Sequence, residues 1–215
     1  MDLELLSDVL GYTGIGSACL PILLVLTFKK NCTKKLDNLL ILLSLEYFII
    51  NILSLLMFTF FKTDQSFLFR FHYISETIIL SFLLTKSLLT KRFLLLLCII
   101  LIGVIFNFFI SVYLGDFKAD KFISITSNIT LFIFSLNYIL LLYNENIYDK
   151  LSDNGYFIIG TGVLFFAGIQ YYFSLFESFI RSDTSIIFFY LWPIFQISGI
   201  LYYLIFTYGL WKLKK

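Results

Sequence analysis

Residues 38–61 read NLLILLSLEYFIINILSLLMFTFF, with one ionisable side chain, Glu46, and neither Gly nor Pro. As a helix rising about 1.5 Å per residue, the stretch is about 36 Å long. That exceeds the roughly 30 Å hydrocarbon core of a bilayer. Apolar side chains occur on every face of it, so no side is made for water. The segment reads as a transmembrane helix.

The rest of the chain repeats the pattern. Apolar stretches long enough to span lie at approximately 9–28, 38–61, 67–88, 93–114, 122–143, 156–177 and 185–210. The chain is 60% hydrophobic and 14% charged, against about 45–50% and about 25% for a soluble domain. A globule of 215 residues cannot bury such an excess. The expected fold is therefore all-α: one integral membrane domain, 1–215, of seven transmembrane helices joined by short loops. Pro193 falls inside the seventh segment and makes it the one to tilt or kink. No soluble domain and no internal repeat is visible. The acidic start, Met1 to Asp8, lacks the basic region of a cleavable signal, so the first segment is read as retained.

Orientation follows from the Lys and Arg residues, which concentrate in cytoplasmic loops. Of the sixteen, eleven fall on one side: Lys29, Lys30, Lys34, Lys35, Lys86, Lys91, Arg92, Lys150, Lys212, Lys214 and Lys215. Lys62, Arg70, Lys118, Lys121 and Arg181 fall on the other. The expectation is an N-terminus outside and a C-terminus in the cytoplasm, with Tyr208 and Trp211 as an inner interfacial anchor. A net charge of +2 gives no reason to expect nucleic acid. Cys19, Cys32 and Cys98 imply no disulfide framework.

Ionisable side chains inside a membrane are costly and mark functional sites by default. The candidates are Glu46 in the second segment, and Arg70, His72 and Glu76 in the third, which also carries Lys86 near its inner end. His72 is the sole histidine of the chain. His72 and Glu76 are spaced i, i+4 and share a helix face. At about 1.5 Å per residue, Glu46 and Glu76 come within about one turn of each other in depth. Asn107, Asn128, Gln170 and Gln196 fall about 9–17 Å below the outer face. Together with Trp192 these residues are candidates to line an outward-facing polar cavity that binds a ligand or a proton. Each neutral amide has a simpler alternative, a hydrogen bond between neighbouring helices. Each glutamate has one too, a neutral or ion-paired structural carboxyl. Gly160, Gly162 and Gly168 in the sixth segment read as close-packing positions.

Most membrane-embedded chemistries find no residues here. Catalytic zinc generally takes three protein ligands, mostly His, and one His leaves only an improbable His-Glu-Glu set. No serine–base motif of an intramembrane protease is visible. The seventh segment has no mid-membrane Lys for a retinal Schiff base, and no Gly-rich phosphate loop occurs. The reading calls for no catalytic residue, no metal and no cofactor.

The chain resembles a large orphan family of small seven-helix membrane proteins common in Bacteroidota. The likeness rests on Leu45-Glu46-Tyr47 in the second segment and on Phe71-His72-Tyr73 with Glu76 in the third. It rests also on Gly160-Thr-Gly-Val-Leu-Phe-Phe-Ala-Gly168 in the sixth and Gly209-Leu-Trp-Lys212 at the end of the seventh. The family brings no established activity. It implies a multi-pass protein of the bacterial cytoplasmic membrane and, through neighbouring two-component genes, a sensory role.

The leading expectation is thus a receptor-like sensory protein in the lipid bilayer. It would bind a small molecule, a lipid or a proton from outside and signal to a separate cytoplasmic partner. A small transporter or proton conductor using Glu46 and Glu76 is the alternative. A lipid-modifying membrane enzyme comes third.

Overall fold

The computed structural model describes residues 3–31, 38–61, 66–85, 91–114, 117–144, 151–182 and 186–213. Among them the chain is helical with no strand. The helices are α1 (Leu3–Ala18), α2 (Leu20–Asn31), α3 (Asn38–Leu56), α4 (Ser66–Thr85), α5 (Lys91–Leu114), α6 (Phe117–Asn144), α7 (Gly155–Ser182) and α8 (Ile186–Leu213). A π-helical turn, Met57–Phe61, prolongs α3. Lys34, Lys35, Lys62, Lys86, Lys150, Lys214 and Lys215, which belong to the charge count, lie outside the described residues, as does Cys32.

The first expected span is broken into two helices. α1 stops at Ala18, Cys19 forms a turn, and α2 starts at Leu20. Pro21 explains the break, because it has no N–H to donate to the carbonyl four residues earlier and its ring crowds that turn. The backbone recovers through Cys19 N–H to the Gly16 carbonyl (3.2 Å) and Leu23 N–H to the Cys19 carbonyl (3.1 Å). By contrast α8 runs through Pro193 as one helix of 28 residues.

α3 shows why these helices stand as they do. Leu42, Leu45, Ile49, Leu53 and Leu56 form an exposed stripe at spacings of three and four. Its inward face holds Leu40, Leu43, Ser44, Tyr47 and Ile50. The outside is the more apolar side, which water would not tolerate over so large a patch. Counting α1 and α2 as one path, Val9–Thr27, six helical stretches among the described residues are long and apolar enough to cross a membrane. In α5 the apolar stretch Cys98–Asn107 is shorter, although the helix itself has 24 residues.

α7 packs between α6 and α8, α4 lies against α6 and α3, and α1 and α2 lie against α8. α5 sits at the edge, against α6 and α4. Leu40 and Leu43 of α3, Leu80 and Leu83 of α4, Ile159 and Val163 of α7, and Phe206 and Leu210 of α8 pack into one buried apolar layer. The first four flank the α3 start and the α4 end, and the last four flank the α7 start and the α8 end. The layer therefore occupies one end of the bundle. At that end Asn154 caps α7, its Oδ1 accepting from the N–H groups of Tyr156 (3.0 Å) and Phe157 (3.3 Å). This satisfies donors that a helix start leaves open. Lys212 Nζ donates to Asp153 Oδ1 (2.6 Å) beside it.

Candidate functional site

α3 places Glu46 and Tyr47 next to each other, and neighbours on a helix point about 100° apart. Glu46 turns to α4, and Tyr47 turns into the bundle toward α8. α4 places His72, Ser75 and Glu76 on one face, since residues three and four apart are neighbours there. α8 supplies the doublet Tyr202-Tyr203. Tyr47, Tyr202 and Glu76 have exposures of 0%, 1% and 2%. The side chains of His72 and Glu46 are 12% and 9% exposed.

These groups form one string. Ser75 Oγ donates to Glu46 Oε1. The same oxygen lies 3.1 Å from His72 Nδ1. On the other side of the ring, His72 Nε2 faces Glu76 Oε2 at 3.7 Å. Glu76 Oε1 then accepts from the hydroxyls of Tyr47 (2.6 Å) and Tyr202 (2.8 Å). The two hydroxyls are also paired with each other. Asn51 braces the far side, its Nδ2 donating to the Tyr47 carbonyl (2.8 Å) and toward the Tyr203 hydroxyl (3.4 Å).

Aromatic rings wall off the string. The Tyr47 ring meets Tyr203, Phe206 and His72 edge-on at 5.1, 5.5 and 5.7 Å. Phe166 of α7 stacks on Tyr202 at 4.5 Å. Edge-to-face and stacked contacts at these separations are favourable, and they fix the phenols against Glu76.

The expected site residues divide into two sets. Glu46, His72 and Glu76 come into contact. Asn107, Asn128, Gln170, Trp192 and Gln196 lie outside their string. Asn107 Nδ2 donates to the Gly103 carbonyl of its own helix (2.8 Å). Asn128 Nδ2 donates to the Ser124 carbonyl (2.8 Å), and Ser124 in turn pairs with Ser174 of α7 (2.6 Å). An amide on a helix satisfies itself in this way through the carbonyl four residues back. Gln170 is buried, and Trp192 is half-buried with its ring stacked on Phe195 at 5.2 Å. Gln196 lies against Gly11 of α1, its Nε2 3.7 Å from where a Cβ on that glycine would stand, and its Oε1 is buried with no hydrogen-bond partner among the described residues. The single polar lining expected from depth alone is thus several separate local arrangements. Depth counts distance along a helix axis and carries no information about which way a side chain points.

The site also recruits residues that the sequence reading passed over: Tyr47, Ser75, Tyr202 and Tyr203. A signal for them was present, because a tyrosine far from the membrane interface must find a partner for its hydroxyl. Three of the polar groups, Tyr47, Asn51 and Ser75, lie within two turns of Glu46 or Glu76 in sequence.

The arrangement constrains the chemistry. The two carboxylates lie on opposite nitrogens of one imidazole, so the three donors form a line and do not converge on a point as metal ligands must. Among the described residues no group of three or more His, Cys, Asp or Glu is placed to hold a metal ion. The Ser75 hydroxyl is bonded to Glu46 and to the Phe71 carbonyl (2.7 Å), so it has no serine–imidazole pairing. What the string can do is hold and redistribute protons among acids, imidazole and phenols. No family model, no curated protein and no solved structure matches the chain.

Proposed function

We propose that the chain is a seven-span sensory protein of the bacterial cytoplasmic membrane, with its N-terminus outside and its C-terminus in the cytoplasm. Its sensing element is the string of polar side chains from Ser75 through Glu46, His72 and Glu76 to Tyr47 and Tyr202, hydrogen-bonded except where His72 faces Glu76 across 3.7 Å. The observation that carries this reading is the position of the string. It joins α3, α4 and α8 through side chains, directly above a dry apolar layer. Charged groups at such depth are expensive and are kept where they act. A change of protonation or of polar ligand at the string alters the links among three helices. α8 carries the change to the end where Lys212 and Asp153 meet, and there a separate cytoplasmic partner would receive it.

A distance measurement tests the reading. Labels at Asn38→Cys and Tyr208→Cys, on a chain freed of its native cysteines, report the separation of α3 and α8 near the apolar layer. In lipid nanodiscs that separation should change as pH is stepped across about 5 to 8, the range over which imidazole commonly titrates. Glu76→Gln should abolish the change. A parent chain whose separation ignores pH throughout the range would defeat the proposal.

Proton conduction is the competing reading. It needs a polar path to both faces, and the packed Leu40, Leu43, Leu80, Leu83, Ile159, Val163, Phe206 and Leu210 favour sensing over it. Liposomes holding the parent chain should show no proton flux above empty liposomes; flux that Glu76→Gln removes would favour conduction.

A further inference from the structure

The string ends in a triangle of oxygens, and the protons on that triangle can be counted. Glu76 Oε1 is hydrogen-bonded to the Tyr47 hydroxyl (2.6 Å) and the Tyr202 hydroxyl (2.8 Å), and the two hydroxyls are bonded to each other. There are three edges. Each phenol brings one proton, and an ionised carboxylate brings none. If both phenols donate to Oε1, the Tyr47–Tyr202 edge sets lone pair against lone pair. Exposures of 0% and 1% leave those two residues no water to relieve it, and an unsatisfied polar contact in such a place is costly. A third proton, on Oε1, closes the count. Each oxygen then donates once and accepts once around the ring.

The rest of the carboxyl group agrees. Glu76 Oε2 stands 3.7 Å from His72 Nε2, too far for a hydrogen bond. The other imidazole nitrogen is 3.1 Å from Glu46. The imidazole therefore pairs with Glu46, and Glu76 belongs to the phenols.

We propose that Glu76 is the proton-binding site of the bundle. Its carboxyl group carries the third proton, which closes a ring of three hydrogen bonds with Tyr47 and Tyr202. This rests on the sensory reading above and names the proton as the ligand of that site. The titratable groups around it are Glu46 and Tyr47 from α3, His72 and Tyr73 from α4, and Tyr202 and Tyr203 from α8. Arg70 lies about 9 Å further along α4. α7 contributes the uncharged ring of Phe166. Loss of the third proton reopens the Tyr47–Tyr202 edge, which joins α3 to α8, and so loosens those two helices from each other.

Infrared spectroscopy of the full chain in lipid at neutral pH, with glutamate 13C-labelled at its side-chain carboxyl, reads the proton directly. Carboxyl groups in water are ionised there and give no acid carbonyl band. The parent should show one such band, shifted down both by the label and by D2O. Glu76→Gln should remove it, and Glu46→Gln should keep it. Tyr202→Phe, which removes one hydrogen bond from the acid, should keep the band and raise its frequency. No acid band in the parent, a band that survives Glu76→Gln, a band lost in Glu46→Gln, or an unshifted band in Tyr202→Phe each overturns the proposal. The parent spectrum does so without any variant having to fold. An acid band that behaves as expected in a chain whose α3–α8 separation ignores pH defeats the sensory reading alone. A responsive separation without the band defeats the Glu76 assignment alone.

Discussion

Removing the imidazole of His72 would leave Glu46 and Glu76 on either side of an apolar gap, with Glu46 deprived of the group 3.1 Å away. Breaking a buried ion pair by deleting one partner costs about 3–5 kcal/mol, because the other charge stays buried and uncompensated. Deleting one hydroxyl is milder: hydrogen bonds between membrane helices average about 0.6 kcal/mol, with a maximum near 1.7. Tyr202→Phe leaves Glu76 Oε1 with the Tyr47 hydroxyl and should fall in that lower range. His72→Leu should therefore lower stability in mixed detergent micelles several-fold more than Tyr202→Phe, as read from the denaturant midpoint. Equal losses, or the reverse order, would contradict the ion-pair assignment. At this scale the sequence was informative about charges and poor about phenols. Glu46, His72 and Glu76 stand out because an ionisable group in an apolar run is anomalous. Tyr47, Tyr202 and Tyr203 do not, because the chain has 14 Tyr and many of them suit an interface or a lipid-facing wall. Only the packing shows which hydroxyls point inward.

Where α7 begins and α8 ends, two backbones touch. A Cβ at Gly209 would stand 2.6 Å from Ile159 Cγ1 and 2.9 Å from the Gly155 carbonyl oxygen, and one at Gly155 would stand 2.5 Å from the Gly209 carbonyl oxygen. A backbone oxygen cannot rotate away, so the helices must separate. Overpacking of this kind costs roughly 1–3 kcal/mol. For Gly103 on α5 no described residue comes within 4 Å of such a Cβ, and alanine is up to about 1 kcal/mol better than glycine inside a helix. Gly209→Ala should thus lower the thermal midpoint in detergent, while Gly103→Ala should leave it unchanged or raise it. A Gly209→Ala chain as stable as the parent would show that the two helices are not in backbone contact. The glycines expected to matter, Gly160, Gly162 and Gly168, are graded by the packing. Gly162 is tight against Ile205 Cγ2 at 2.8 Å, Gly160 is close to Tyr138 Cδ1 at 3.1 Å, and Gly168 has ordinary contact with Phe132 at 3.5 Å. Helix positions were readable because length and hydropathy fix them: the segment expected at 38–61 matches α3 with its π turn. The break at Pro21 is not legible from hydropathy, which is continuous across it.

For the whole molecule the open question of parity turns on α5. Leu84, at the end of α4, packs with Tyr138 and Leu142, at the end of α6, so α4 and α6 run in the same direction. The residues between α4 and α5 and between α5 and α6 number only five and two. Two parallel neighbours joined through one helix and such short links favour a helix that returns along their length. At 24 residues α5 extends about 36 Å, enough to do so. Ile99, Ile102, Ile105, Phe106 and Phe109, exposed along it, suit lipid. A seventh crossing puts the two termini on opposite sides of the membrane; six crossings would put them on the same side. The ends of the bundle favour the first outcome. Gly11 of α1 lies beside Gln196 in the first half of α8, whereas Lys212 at the other end of α8 meets Asp153. On the orientation proposed above, the eleven-to-five division of Lys and Arg would put the Lys212 end in the cytoplasm. In intact cells a fluorescent protein fused after Lys215 should be shielded from external protease. An epitope placed before Met1 should be cleaved from outside. Both tags protected, or both accessible, would mean an even number of crossings, and α5 would then have to lie along the bilayer. The reverse pattern, with the N-terminal tag protected and the C-terminal one cleaved, would keep seven crossings and invert the bundle. The string of Glu46, His72 and Glu76 would then face the cytoplasm across its more polar half, and the dry layer would seal it from outside.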